Sequence, residues 1–236
     1  MKTSLLQALQ LLLSGSDQLN NIISVTLKMG LSSSLIALLI GMPLGILLGM
    51  SRFRGRTVLV VLNRTLMGLP PVVCGLICYM LFSGVGPLRH LKLLYTVRGM
   101  IIAQIILLVP LVIGNLEAHV AAVSEPVRVT CRGLSLRRKT LLLLINECRY
   151  QILYAYLFAL GRAFAEVGAV SMVGGAIAYK TNVMTTAIMN YSNMGNFTLS
   201  LALGIILMGI SLLLNTGAAA VYYYCETPRI RAKGER

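Results

Sequence analysis

Charge is what this sequence has least of. Only 12% of its 236 residues are Asp, Glu, Lys or Arg, against about a quarter in soluble domains. Hydrophobic residues make up 57%, and the mean hydropathy is +0.81. A soluble globular domain is thereby excluded. Ligand pairs are also missing. Cys74, Cys78, Cys131, Cys148 and Cys225 form no CxxC, have no histidine at ligand spacing, and read as reduced structural residues. His90 and His119 stand apart from each other. No GxxxxGK[ST], HExxH or GxSxG is present, so the chain offers no catalytic constellation and no ATPase site of its own. No internal repeat is visible, which argues against carriers built from inverted repeats. Acidic residues are scarce too: 7, against 21 Lys and Arg, for a net charge of +14. A soluble chain so basic would suggest nucleic acid. Here no basic patch is interleaved with aromatics, and the cations gather in loops suited to anionic lipid and the cytoplasm.

What is present is a series of apolar windows of about 20 residues, the length of a bilayer-crossing helix. The pattern predicts an all-α integral membrane protein with about five transmembrane helices, near 22–50, 57–82, 99–121, 150–178 and 198–223. Residues 1–19 read as a short interfacial helix and linker that stays attached, with Asp17 placed to cap the first span. The transmembrane domain is 20–224, and 225–236 is a basic tail. Pro43 and Pro110 are candidate bends. Pro70-Pro71 must interrupt backbone hydrogen bonding, which is tolerated at membrane depth only when buried in protein or lining a cavity. Residues 122–148 are expected to be a cytoplasmic loop and 179–197 a polar loop on the other side. With five spans, 51–56, 122–149 and the tail share one side and hold thirteen Lys and Arg, against five opposite. The excess places the C-terminus in the cytoplasm and the N-terminus outside, in a multi-pass cell-membrane protein.

Within the fourth span, "GRAFAEVGAVSMVGGAI" (161–177) carries an arginine and a glutamate four residues apart. On one continuous helix, Gly161, Gly168 and Gly175 form a ridge for close helix approach, and Arg162 and Glu166 share the adjoining face. Arg162 lies roughly 18 Å along the span from Tyr150 at about 1.5 Å per residue, beyond easy reach of the near interface. The pair either cements packing or braces a polar pathway. The 122–148 segment mixes Arg128, Arg132, Arg137, Arg138 and Lys139 with Val127, Val129, Leu134 and Leu136 around Gly133, a composition suited to docking a partner protein.

These pieces together resemble the permease subunits of binding-protein-dependent ABC importers of the type I fold. That family's loop pattern, Glu-Ala-Ala-x3-Gly-x9-Ile-x-Leu-Pro, aligns its glycine on Gly133, with Val127-Arg128-Val129 at Glu-Ala-Ala, Leu143 at Ile and Ile145-Asn146 at Leu-Pro. "SRFRGR", "LMGLPPVVCGL", "GPL" (86–88), "IIAQIIL" (101–107), the 161–177 segment, "TNVMTTAI" (181–188) and "LALGIIL" (201–207) are similar to tungstate-type permeases in order and spacing. Ala176 and Asn182 depart from that pattern, where Asn and Arg are usual.

The resemblance implies import of an oxyanion, tungstate first, with molybdate or another oxyanion as the alternative. It implies a homodimer of permeases, two cytoplasmic ATPase subunits carrying ATP and Mg, and an extracytoplasmic oxyanion-binding protein. Glu125, Val127, Thr130, Gly133, Leu134 and Ser135 would belong to the ATPase-coupling loop. Pro70, Pro71, Gly161, Arg162, Glu166, Gly168, Gly174 and Gly175 would serve the translocation path or helix packing. A stand-alone channel or gradient-driven carrier, and a non-transporting membrane anchor, are the rival readings.

Overall fold

Glycine on one helix and branched side chains on the next set the centre of the bundle. In the computed structural model, which describes residues 17–133 and 140–234, helix α1 (Asp17–Met50) lies along α4 (Val97–Gly133). Gly41, Gly45 and Gly49 of α1 recur every four residues. A Cβ at these positions would stand 2.8 Å from the Cβ of Val112, 3.0 Å from that of Leu116 and 2.7 Å from that of Val120. A row of missing side chains thus receives a row of branched ones. Ala155, Ala159 and Ala163 of α6 (Arg149–Ala165) pack in one buried cluster with Ala37 of α1 and Leu108, Val112 and Leu116 of α4.

The remaining elements are α2 (Arg56–Met67), α3 (Pro71–Phe82), a 3-10 turn at Arg89–Leu91, α5 (Thr140–Glu147), α7 (Gly168–Gly174), α8 (Met184–Asn193) and α9 (Phe197–Gly234). No strand occurs among the described residues. Helices α1, α4 and α9 are each long and apolar enough to cross a membrane. The pairs α2–α3 and α6–α7 pass the same test jointly but bend by 93° and 58°, which brings the number of candidate spans to as many as five. Outward-facing Leu39, Leu47, Val58, Leu62, Met80 and Met208 clothe the bundle in apolar side chains, as lipid contact requires.

Several sequence expectations need correction. Residues 17–19, expected in the linker, are already helix in α1; the rest of the expected interfacial helix lies outside the described residues. Pro43 and Pro110, the two candidate bends, both lie inside continuous helices, α1 and α4. The expected 57–82 span is the bent pair α2–α3. Gly68 ends α2, Pro70 is extended, and Pro71 occupies the first position of α3, where its missing N–H would have had no partner anyway.

Helix α4 continues through Pro126 to Gly133, so the front of the expected 122–148 loop is helical. Val120 and Val127 hold it against Ile46, Leu144 and Cys148, which keeps its buried stripe in register. Thr140–Glu147 of the same segment is a helix as well. The expected polar loop at 179–197 contains α8, and residues 181–187 are all buried. Finally, α9 runs on to Gly234, so the tail from 225 to 234 prolongs the last helix.

Candidate functional site

The fourth span is not one helix. It stops at Ala165, passes through extended Glu166, and restarts at Gly168. A helix end leaves its last carbonyls without partners, and at membrane depth these must be met by protein. Here α4 and the first turn of α8 supply the partners. Gln104 Nε2 donates to the Ala163 carbonyl at 2.9 Å, while Gln104 Oε1 accepts from Ser33 Oγ of α1 at 2.6 Å. Thr185 Oγ1 donates to the Glu166 carbonyl at 3.0 Å. On the far side of the break, the Ala169 N–H donates to Glu166 Oε1 at 3.2 Å, so this carboxylate meets one of the orphan donors of α7.

The second broken span meets the first at its break. A Cβ on Gly168 would stand 2.8 Å from Val72 Cγ2 and 3.2 Å from the Val72 backbone nitrogen. A Cβ on Gly75 would stand 2.7 Å from Ala169 Cα. The Pro70-Pro71 interruption and the Glu166-Val167 interruption therefore lie against each other, held by backbone-to-backbone contact that only glycine permits.

Beyond α7 the chain turns sharply. Gly175 has φ of +68°, beside the Tyr95 ring, and Ala176 and Tyr179 also adopt positive φ. Thr181 fastens this turn, donating to the Gly174 carbonyl at 2.6 Å and accepting the Ile177 N–H at 3.1 Å. Thr186 Oγ1 donates to Asn182 Oδ1 at 2.9 Å, and Thr26 Oγ1 of α1 accepts the Met184 N–H at 2.9 Å. Asn182, one of the two departures from the resembled pattern, is thus a buried partner within the turn.

The expected residues divide clearly. Pro70, Pro71, Glu166, Gly168, Gly174 and Gly175 converge around the paired breaks, with Gly174 against Met100. Gly161 does not join them: nothing would touch a Cβ placed there. The ridge expected through Gly161, Gly168 and Gly175 is interrupted by the break and does not exist as one stripe. Arg162 and Glu166 do approach, at 3.8 Å, but unequally: the glutamate side chain is 4% exposed and the arginine 44%. The carboxylate belongs to the break, while the guanidinium looks outward.

At the other end of the bundle, Arg52 pairs with Glu125 at 2.8 Å and Arg128 donates to the Met50 carbonyl at 2.5 Å. Val127 packs in the adjoining cluster, Thr130 bonds the Pro126 carbonyl, and Gly133 is the last described residue of α4. Leu134 and Ser135 lie outside the described residues. Sequence reasoning missed a second ion pair, Arg56 with the buried Glu117, in which Arg56 Nε also donates to the Leu48 carbonyl at 3.0 Å. It also missed Gln104, although one amide inside "IIAQIIL" is itself a signal. No group of His, Cys, Asp and Glu suited to a metal occurs among the described residues.

No family model matches this chain. Curated relatives do. The chain is 34% identical over 211 residues to the tungstate uptake system permease protein of Peptoclostridium acidaminophilum, covering 88% of this chain and 92% of the relative. It is 33% identical over 231 residues to a probable anion ABC transporter permease protein of Haloferax volcanii, covering 93% and 98%. A tungstate uptake system permease protein of Campylobacter jejuni is 36% identical over 152 residues, 64% of each chain.

Proposed function

This chain belongs to the ABC transporter permeases, and from that premise we propose that it is the membrane-spanning subunit of an ATP-driven oxyanion importer, with tungstate the first substrate and molybdate the alternative. The observation that carries the reading is similarity to a tungstate uptake permease along nine-tenths of the chain, through both broken spans. The energy comes from outside: two cytoplasmic ATPase subunits bind ATP and Mg, a second permease copy completes the pathway, and an extracytoplasmic binding protein delivers the oxyanion.

The N-terminus lies outside and the C-terminus in the cytoplasm. Loop charges support this orientation. So does the gathering of Arg52, Arg56 and Arg128 with Glu117 and Glu125 at a single end of the bundle. At that end α5 offers Leu141, Leu142 and Leu143, 47%, 69% and 40% exposed. Three exposed leucines on an eight-residue helix flanked by basic residues suit docking into a groove of the ATPase. Glu125, Val127, Thr130 and Gly133 on the end of α4 carry the motion inward, through the Arg52–Glu125 and Arg128–Met50 ties to α1.

ATPase closure rocks the bundle between inward-open and outward-open forms. The paired breaks at Pro70-Pro71 and Glu166-Val167 are where two spans can change direction without losing a regular helix. The test is reconstitution in lipid vesicles with partner ATPase and binding protein. ATP-dependent tungstate uptake is expected, with molybdate taken up more slowly. Uptake that proceeds without the ATPase would replace the reading with a channel or a gradient-driven carrier.

A further inference from the structure

A groove of about 660 Å³ opens between α2, α4 and α6, with Met67, the last residue of α2, in its lining. Its polar lining is Arg64 from α2, Asn115 and His119 from α4, and Gln151 from the first turn of α6. All four can donate hydrogen bonds, and no Asp or Glu shares the lining. Among the described residues none of the four has a hydrogen-bond or ion-pair partner, and Asn115 Nδ2 is itself buried. Two other arginines of the bundle stand beside buried carboxylates. Arg56 faces Glu117 and Arg162 faces Glu166, whereas Arg64 faces the groove. It lies eight residues beyond Arg56, about 12 Å along α2 at about 1.5 Å per residue. The neighbouring positions Val61, Leu62 and Leu66 are exposed and apolar.

An arginine inside a span, turned to a cavity and left without a carboxylate, calls for an anionic partner. Its guanidinium fork matches two oxygens of a tetrahedral oxyanion, and amide and imidazole N–H groups can donate to the remaining oxygens. Gly114 gives the groove its shape: a Cβ there would meet Met67 Sδ at 2.4 Å, so α2 can lie close to α4 beside the cavity.

We infer that this groove is an oxyanion site on the cytoplasmic half of the permease, at which Arg64, Asn115, His119 and Gln151 hold the substrate before it leaves. The inference rests on the import reading above and adds to it a place where the permease itself contacts the anion. A phosphate headgroup of an anionic lipid offers the same oxygens, so the experiment separates the two sources.

Permease is purified into zwitterionic phosphatidylcholine nanodiscs and dialysed against tungstate, and bound tungsten is counted. Wild type and R54Q, which alters an exposed arginine outside the groove, are expected to bind saturably. R64Q and N115L, checked for monodispersity, are expected to weaken binding about tenfold or more, and R64K, which lacks the fork, by less. Equal binding by all variants, or no saturable binding by wild type, overturns the site. Co-purification of phosphatidylglycerol with wild type but not R64Q, without tungstate binding, assigns the groove to a headgroup and also overturns it. Vesicle uptake keeps the two readings apart. Import by the complete assembly with unaltered R64Q binding removes the groove alone. Arg64-dependent binding without ATP-driven uptake removes the import reading and leaves the site.

Discussion

Gly75 and Ala169 bring two interrupted spans together, because the position a Gly75 Cβ would occupy lies 2.7 Å from Ala169 Cα, with the Gly168 carbonyl at 3.3 Å. Both obstacles are backbone, and backbone cannot turn aside as a side chain can. Gly75→Val should therefore push α3 off α7 and lower stability by about 1–3 kcal/mol, the usual effect of overpacking. Thermal unfolding in detergent reads this directly, and Gly161→Val is the matched control because nothing would touch a Cβ there. Equal melting of the two variants would contradict the contact.

Gln104 is the second prediction. It bridges Ser33 of α1 and the Ala163 carbonyl left open by the break. Gln104→Leu leaves that buried carbonyl without its 2.9 Å partner, at about 1–3 kcal/mol for an unsatisfied group. Ser33→Ala removes one donor and leaves the Gln104–Ala163 bond intact, so it should cost less. A reversed order in thermal unfolding would mean that the break is held elsewhere.

How far these features could be read in advance depends on whether their cause is local. The spans follow from apolar runs, and the Pro70-Pro71 interruption follows from two missing N–H groups. The break at Glu166 has no such local cause: "FAEVGAV" reads as ordinary helix. What ends the helix there is Gln104, sixty-odd positions earlier, and Thr185, nineteen later. Residues 181–187 failed in the opposite direction. Three threonines and an asparagine look like a loop, but Thr181, Thr186 and Asn182 bond to nearby backbone and to each other and Thr185 reaches the Glu166 carbonyl, which makes burial affordable. Gly41, Gly45 and Gly49 were legible as a four-residue repeat, although Pro43 between them drew attention to bending instead.

Arg162 and Glu166 support a third prediction, and it concerns transport more than stability. A pair at 3.8 Å with one partner 44% exposed contributes little to folding. Glu166→Gln keeps an oxygen that can accept the Ala169 N–H, so assembly should be normal. It leaves Arg162 uncompensated, and oxyanion uptake should slow. The Arg162→Gln/Glu166→Gln double variant should recover part of the rate. Wild-type uptake by the single variant would take Glu166 out of the transport step.

Cys148, between α5 and α6, supplies a fourth. Burial pushes its thiol above the ordinary cysteine range, and the neighbouring Glu147 carboxylate pushes the same way. The thiolate is the reactive form, so alkylation should be slow near neutral pH and accelerate only above the normal thiol range. Because the folded thiol is raised, its neutral form prevails at neutral pH, and ionisation at high pH favours the unfolded chain. Rapid labelling of Cys148 at pH 7 would show that the α5–α6 junction opens.

Arg56 and Glu117 tie the start of α2 to the middle of α4. Glu117 is 5% exposed, so removing its partner leaves a carboxylate with little access to water. Arg56→Gln should cost about 1–3 kcal/mol, below the range for fully buried pairs because Arg56 keeps 30% of its side-chain surface. Arg52→Gln, whose partner Glu125 is 46% exposed, should cost well under about 1 kcal/mol. Thermal unfolding of the two single variants beside the Arg56→Gln/Glu117→Gln double variant separates charge from packing. Recovery in the double variant is expected if the penalty comes from the stranded carboxylate. Failure to recover would assign it to the Arg56–Leu48 backbone bond, which the double variant also lacks.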